Sequence, residues 1–284
     1  MNNIAAVFVL YNPDENLIEN INSVISQVDK IYLIDNSENE LRISLKEYIE
    51  SEKKILYKQL NKNLGIAEAL NIALKHAEDD NFQFLLTLDQ DSKTSENMVA
   101  QLYEVISKDD KIALVTAKHY DPSQHKIDIN QSVVEIFYTM TSGNLIRISA
   151  ARSVGGFDSK LFIDHVDHEF CLRLKANGFQ LKRVNYSILF HKLGKSKTIR
   201  ILGINFYPSF HNPIRIYYRT RNRLYVDNKY KKIFPDYVKE DLRHFLRELF
   251  DIMVCENQRF KKVFMMIKGY LHYKKKIFGP YKSK

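Results

Sequence analysis

Cysteine is nearly absent: Cys171 and Cys255 are the only two among 284 residues. Two thiols cannot build a disulfide framework, and their scarcity predicts a reducing, intracellular setting. With 6 Pro and 9 Gly the chain is neither collagenous nor of low complexity. No run approaches ~18 consecutive apolar residues, so no spanning helix is expected. The opening MNNIAAVFVLYNP lacks the basic-then-apolar order of a secretory signal and reads as a strand ending in a turn. What is present is enough to fold. Hydrophobic residues make up 45% and charged residues 27%, which permits a real core and excludes a disordered chain.

The net charge of +9 is unevenly placed. From Arg200 to Lys284 there are 20 Lys and Arg against 7 Asp and Glu, a net of +13. The residues before Arg200 hold 23 against 27, a net of −4. An acidic front and a basic back predict different partners.

Strand and helix patterns alternate through residue 118. Apolar runs at Ile4–Leu10, Lys30–Ile34, Lys53–Gln59, Phe82–Leu88 and Ile112–Thr116 read as strands. Helical spacing at Glu15–Gln27, Ile66–Ala77 and Ser95–Ile106 fills the gaps between most of them. That order predicts βαβ units and a mostly parallel sheet. Tyr11-Asn12, Asp35-Asn36 and Asp89-Gln90-Asp91 then fall at the carboxyl ends of strands, where open α/β sheets bind ligands. From His119 to Tyr207 the pattern is mixed. From Pro213 onward it is helical, with Phe245, Leu246, Leu249, Phe250 and Met253 assigned to one face. No internal repeat is visible.

Two stretches carry chemistry. In LLTLDQDS, Asp89 and Asp91 follow a buried strand one residue apart, where two carboxylates can converge on a hard divalent cation. The bland alternative is a polar turn. In FIDHVDHEFCLR, three acids and two histidines are interleaved with Phe162, Ile163, Val166, Phe170 and Leu172. A solvated helix start explains one or two acids there. Acids among residues that should be buried suit a general base better. His191 closes the apolar run Ile188–Phe190 and, taken alone, is more often a structural histidine than a metal ligand.

In order, YNP, DNS, NLGIAEALN, LDQDS, SGN, GGFD, FIDHVDHEFCLR and FHKLG resemble the family 2 glycosyltransferases. IDHVDHEFCLR and RIYYRTRN are most similar to bacterial rhamnosyltransferases of surface-polysaccharide assembly. The resemblance runs from residue 4 to about 225. It implies an α/β GT-A fold, a Rossmann-like mixed sheet flanked by helices, over residues 1–210, with a basic helical extension over 211–284. It implies that Tyr11, Asn12, Asp35, Asn63, Gly65 and Asp89 bind the donor, and that Asp91 and His191 hold Mg²⁺ or Mn²⁺. By the same resemblance Ser142, Gly143, Asn144, Glu169 and Arg173 meet the acceptor. Asp167 aligns with the second acid of the family's Glu-Asp pair, the catalytic base. The residue before it is Val166, a departure from the pattern that leaves Asp164 and Glu169 open as alternatives.

The implied activity is an inverting, metal-dependent transfer of a sugar, rhamnose from dTDP-rhamnose, to a saccharide acceptor of O-antigen or capsule assembly. Galactofuranose or glucose donors are alternatives, as is a non-catalytic nucleotide-sugar or nucleic-acid binding protein. His211 to Arg223 is basic with interleaved Tyr, a composition that can contact phosphates and stack on bases. No nucleic-acid module accompanies it, and no nucleic-acid partner is expected. A polyprenyl-diphosphate-linked acceptor and a peripheral position on the cytoplasmic face of the inner membrane suit the basic, aromatic tail. A solvated helical face is the plain alternative.

Overall fold

The computed structural model describes residues 3–121, 130–191, 199–201 and 204–282. The chain forms two compact units, Met1–Ser159 with Val166–Lys192, and Lys160–His165 with Leu193–Lys284.

The first unit opens with three βα repeats: β1 Ile4–Leu10, α1 Asn16–Val24, β2 Lys30–Asp35, α2 Ile43–Ser51, β3 Ile55–Gln59 and α3 Ile66–Asp79. β4 Phe84–Asp89, β5 Ser92–Thr94, α4 Met98–Ile106 and β6 Ile112–Tyr120 follow. The remainder is β7 Val133–Glu135, β8 Asn144–Arg147, α5 Ile148–Ser153, α6 Val166–Ala176 and β9 Gln180–His191. One sheet runs β3-β2-β1-β4-β8-β6-β9-β5, with β7 also on β9. The β3-β2-β1-β4 half is parallel; β8 then pairs antiparallel with both β4 and β6.

Both faces of β1 are covered, which explains its unbroken apolar run. Ile4, Ala6, Phe8 and Leu10 enter a core with Leu17, Ile21 and Val24 of α1, while Ala5 and Val7 are buried on the other face. α3 is preceded by its N-cap Gly65, whose φ of +88° favours a residue without Cβ.

Register places the polar strand ends side by side. Leu10 lies opposite Asp35 and Val9 opposite Asp89, so Tyr11-Asn12, Asp35 and Asp89 share one edge. In the antiparallel ribbon Ser92 lies opposite His191, which carries the histidine to the same place.

The second unit holds β10 Ile199–Ile201, β11 Ile204–Phe206, α7 Pro213–Tyr230, α8 Pro235–Cys255 and α9 Arg259–Lys274. α7 begins with Asn212 accepting from Arg215 N–H (2.8 Å) and proline in the first turn, both strong start signals. The single apolar face expected on α8 is in fact two. Phe245 and Leu249 pack with Ile216, Ile252 and Met266, whereas Leu246, Phe250 and Met253 are exposed. At 100° per residue a stripe that includes both 245 and 246 is too wide to fit one contact.

Candidate functional site

Asp89 ends β4 and Asp91 precedes β5, so the two acids flank a turn at the strand edge. With His191 they form a group whose possible ligand atoms all lie within 4.8 Å of one another. His191 Nε2 is 4.0 Å from Asp89 Oδ2, and Nδ1 is 3.6 Å from Asp91 Oδ1. Two carboxylates and an imidazole are a fitting donor set for Mg²⁺ or Mn²⁺.

Hydroxyls support this group from behind. Ser142 Oγ accepts from Asp89 N–H (3.0 Å) and contacts Ser92 Oγ (2.8 Å), which in turn contacts His191 Nδ1 (2.8 Å). Both serines are buried. His119 Nε2–H donates to the Ser142 carbonyl (2.7 Å). Burial, chiefly, pushes the His119 imidazole down to about 4, so it stays neutral near pH 7. Gln90 fastens the turn to β1: its Oε1 accepts from Tyr11 N–H (2.8 Å), and its carbonyl accepts from Asn20 Nδ2 (2.8 Å). A cleft of roughly 430 Å³ adjoins, lined in part by Pro13, Asn16, Asn20, Gln90, Asp91 and His191. Ser92, His119, Gln90 and Asn20 were not singled out from sequence. Gln90 and Ser92 sit within LDQDS, where the two carboxylates carry the reading, and Asn20 and His119 stand in no local motif.

The remaining residues that the resemblance assigns to the donor line the same edge. Asn12 has φ +47° and its N–H donates to Ser37 Oγ (2.7 Å). Asp35 is wholly buried; Oδ1 accepts from Ser37 N–H (2.8 Å) and hydroxyl (2.5 Å), and Oδ2 accepts from Tyr57 (2.9 Å). Burial, then that bond, raises the Tyr57 phenol well above its ordinary range. Asn63 Oδ1 accepts from Gly65 N–H (2.9 Å), shaping the loop into α3. Tyr11 is exposed.

Ser142, Gly143 and Asn144 form the entry to β8 rather than an open surface. Asn144 is buried and donates to the Met140 carbonyl (2.8 Å). Gly143 has φ +80°, and a Cβ there would sit 2.9 Å from Leu189 Cδ2. Glu169 is wholly buried and clasped by Arg173, Nε to Oε1 at 3.0 Å and Nη2 to Oε2 at 2.6 Å. Arg173 also donates to the Val154 carbonyl at the end of α5.

The three acids of FIDHVDHEFCLR thus separate. Glu169 is paired with Arg173, and Asp164 with Arg215 (3.2 Å). Asp167, in the first turn of α6, accepts from His168 N–H (2.9 Å), and among the described residues no cation pairs with it. The adjoining segment is unusual: Phe162, Asp164 and His165 all have positive φ. Asn222 of α7 secures it, its Nδ2 lying 2.9, 2.7 and 2.9 Å from the carbonyls of Leu161, Ile163 and Asp164. His191 is the last described residue of FHKLG; residues 192–194 lie outside the described residues.

Part of the basic motif of α7 is spent internally. Arg221 and Asn222 are wholly buried. Arg221 donates to the Gly279 carbonyl (2.8 Å), and Arg223 reaches Asp241 (2.7 Å) and Glu248 (2.9 Å). These two arginines therefore offer no surface for nucleic-acid phosphates.

A parallel βα half, a mixed half and an Asp-X-Asp turn at the sheet edge make this a glycosyltransferase domain of the GT-A fold. The chain belongs to the family described as glycosyl transferase family 2, which matches residues 6–159. A relative named dTDP-rhamnosyl transferase RfbF, of Shigella flexneri, is 30% identical over 240 residues, 78% of each chain. Among solved structures, GalNAc-T7 with UDP, GalNAc and Mn²⁺ has a TM-score of 0.62 at 19% identity, covering 83% of this chain and 49% of its own. TarS of S. aureus scores 0.60 at 15% identity over 87% of this chain and 43% of its own. Residues 1–349 of TarS with UDP score 0.56 at 13% identity, covering 95% and 71%. This chain therefore spans about half the length of GalNAc-T7 and less of full TarS.

Proposed function

We propose that the protein is an inverting, metal-dependent sugar transferase that takes rhamnose from dTDP-rhamnose. The acceptor in this reading is a saccharide on a polyprenyl diphosphate, at the cytoplasmic face of the inner membrane, in surface-polysaccharide assembly. The observation that carries the reading is the convergence of Asp89, Asp91 and His191 at the carboxyl edge of the sheet. The Shigella relative's name supports the donor.

Asp91 and His191 would hold the metal and Asp89 the sugar side of the donor. When bound, the ion supplies charge neutralisation to the leaving diphosphate. Tyr11, Asn12, Asp35, Asn63 and Gly65 would shape the nucleotide's place. Asp167 takes the proton of the acceptor hydroxyl as its oxygen bonds to the anomeric carbon; the bond from that carbon to the diphosphate breaks, and nucleoside diphosphate leaves. A single displacement inverts the anomeric centre and needs one base rather than the two flanking carboxyls of glycoside hydrolysis. Asp164 and Glu169 already have arginine partners, which supports Asp167 over them. Ser142, Gly143, Asn144, Glu169 and Arg173 serve the acceptor side mainly by fixing the backbone around it.

The test is Asp167→Asn. Turnover should fall roughly 10²–10⁴-fold while donor affinity, measured by calorimetry with Mn²⁺, is kept. Unchanged turnover, or the same loss moved to Asp164→Asn, defeats the assignment. A panel of nucleotide sugars scored by thermal stabilisation fixes the donor, since a ligand bound only by the native state raises Tm. Stabilisation by UDP-galactofuranose or UDP-glucose in preference to dTDP-rhamnose would replace it.

A further inference from the structure

α9 is apolar on two opposite sides. One side packs inside its own unit through Met265, Met266 and Gly269. The approach to α7 is so close that a Cβ on Gly269 would lie 2.7 Å from the Tyr217 carbonyl. The other side carries Phe260, Phe264, Ile267 and Leu271 at i, i+4, i+7 and i+11, a single stripe. Their exposures are 80%, 62%, 53% and 46%. Water covers no helix face at lower cost by lining it with phenylalanine, so a row of this kind marks an interaction site.

Charge says which kind. No Asp or Glu follows Glu256, while nine Lys and Arg do. Lys261 and Lys274 are exposed on the flanks of the stripe, and Lys275 and Lys276 lie just beyond the helix. Lys262 faces inward and pairs with Glu256, so it is not part of the surface. A second copy of the chain is disfavoured: a two-fold contact on this stripe would set lysine flanks against lysine flanks with no acid on the helix to offset them. α8 also exposes Leu242, Leu246 and Phe250, but its exposed charges have both signs, with Asp236 and Glu240 among Lys239, Arg243 and Arg247. The match of apolar row and uniform positive charge is a property of α9.

We propose that this face of α9 docks in the plane of an anionic bilayer, its Phe, Ile and Leu entering the acyl boundary and its lysines meeting lipid phosphates. No described helix is long and apolar enough to cross a membrane, which fits an interfacial mode. The use of this surface rests on the lipid-linked acceptor proposed above; its test does not involve sugar chemistry.

The test is sedimentation with phosphatidylcholine vesicles, with and without phosphatidylglycerol. The wild type should pellet with the anionic vesicles at low salt and be released at high salt, since the Debye length is ~8 Å at physiological ionic strength. Phe260→Glu with Phe264→Glu, verified as folded by circular dichroism and an unchanged Tm, should stay in the supernatant. Changing Lys274, Lys275 and Lys276 to Gln should each weaken partitioning by up to roughly 5-fold. A wild type that stays in the supernatant with anionic vesicles at low salt overturns the proposal. So does a double variant that pellets like the wild type, or a wild-type dimer that Phe264→Glu makes monomeric. Transfer to a short water-soluble acceptor, assayed alongside, should be equal in wild type and double variant. Its absence from both would count against the transfer reading and leave the vesicle result standing.

Discussion

An imidazole can bind a metal through either nitrogen, and what the other nitrogen does decides which. His191 Nδ1 is held by Ser92, itself held by Ser142. With Nδ1–H donating to Ser92, Nε2 keeps its lone pair for a cation. Ser92→Ala should therefore weaken Mn²⁺ binding roughly 10–100-fold by electron paramagnetic resonance, with no nucleotide present. Ser92→Thr, which keeps the hydroxyl, should restore most of it; equal binding by all three proteins would leave the serine without a role. Asp91→Ala should lose metal-dependent nucleotide binding as well as turnover, and full activity of this variant or of the wild type in EDTA would refute the metal site.

A different acid makes one contribution to stability depend on pH. The Asp227 carboxyl is pushed up to about 7, first by burial and then by Asp241, with Arg223 opposing. The folded protein holds this proton up to about pH 7, while the unfolded chain releases it near about pH 4. Between those values the unfolded state binds fewer protons, so stability falls as pH rises and levels off above the folded value. Asp227→Asn should raise Tm at pH 8 by the equivalent of about 1–2 kcal/mol, a figure reduced for partial exposure, and should leave Tm at pH 4 unchanged.

At the scale of elements, the turn into α6 is held by a side chain from far along the chain. Left-handed non-glycine residues cost about 1–3 kcal/mol each and persist where surroundings impose them. Here one amide nitrogen, on Asn222, reaches three carbonyls. Asn222→Ala should lower unfolding free energy by about 1–3 kcal/mol in urea. Asn222→Asp should be worse than alanine despite its shape, because it turns a carboxylate oxygen toward carbonyl oxygens; an aspartate variant as stable as the wild type would show the contact to be incidental. The sequence does not reveal this clamp, since RTRN advertises charge and not the asparagine inside it. The strands of the parallel half were legible because burial on both faces leaves unbroken apolar runs. α2 was not: its buried residues are Leu45 and Ile49, and its N-cap makes no side-chain bond. β8 is four residues long and begins at Asn144, within a Ser-Gly-Asn stretch that reads as a turn.

For the whole molecule, the acidic and basic halves of the sequence were legible as a count, but only the fold shows which charges face outward. Arg221, Arg223 and Lys262 are buried, but so are Asp241, Asp251 and Glu256, so among the described residues burial leaves the positive excess of the second unit on its surface. The acid turn at residues 89–91 was legible because a DxD follows an apolar strand. That His191 reaches it was legible only through resemblance, since a hundred residues separate them; the register of the β5–β9 ribbon accounts for it.

That separation bears on assembly in time. The parallel half gathers from neighbours in sequence, whereas Ser92 meets His191 only once β9 has found its place. Contacts between distant residues close late and slowly. During refolding from urea, far-UV ellipticity should recover first, and capture of Mn²⁺ should follow with a measurable lag. In a chain growing from the ribosome, Asp89, Asp91 and His191 would come together only after β9 has emerged, late in the making of the first unit.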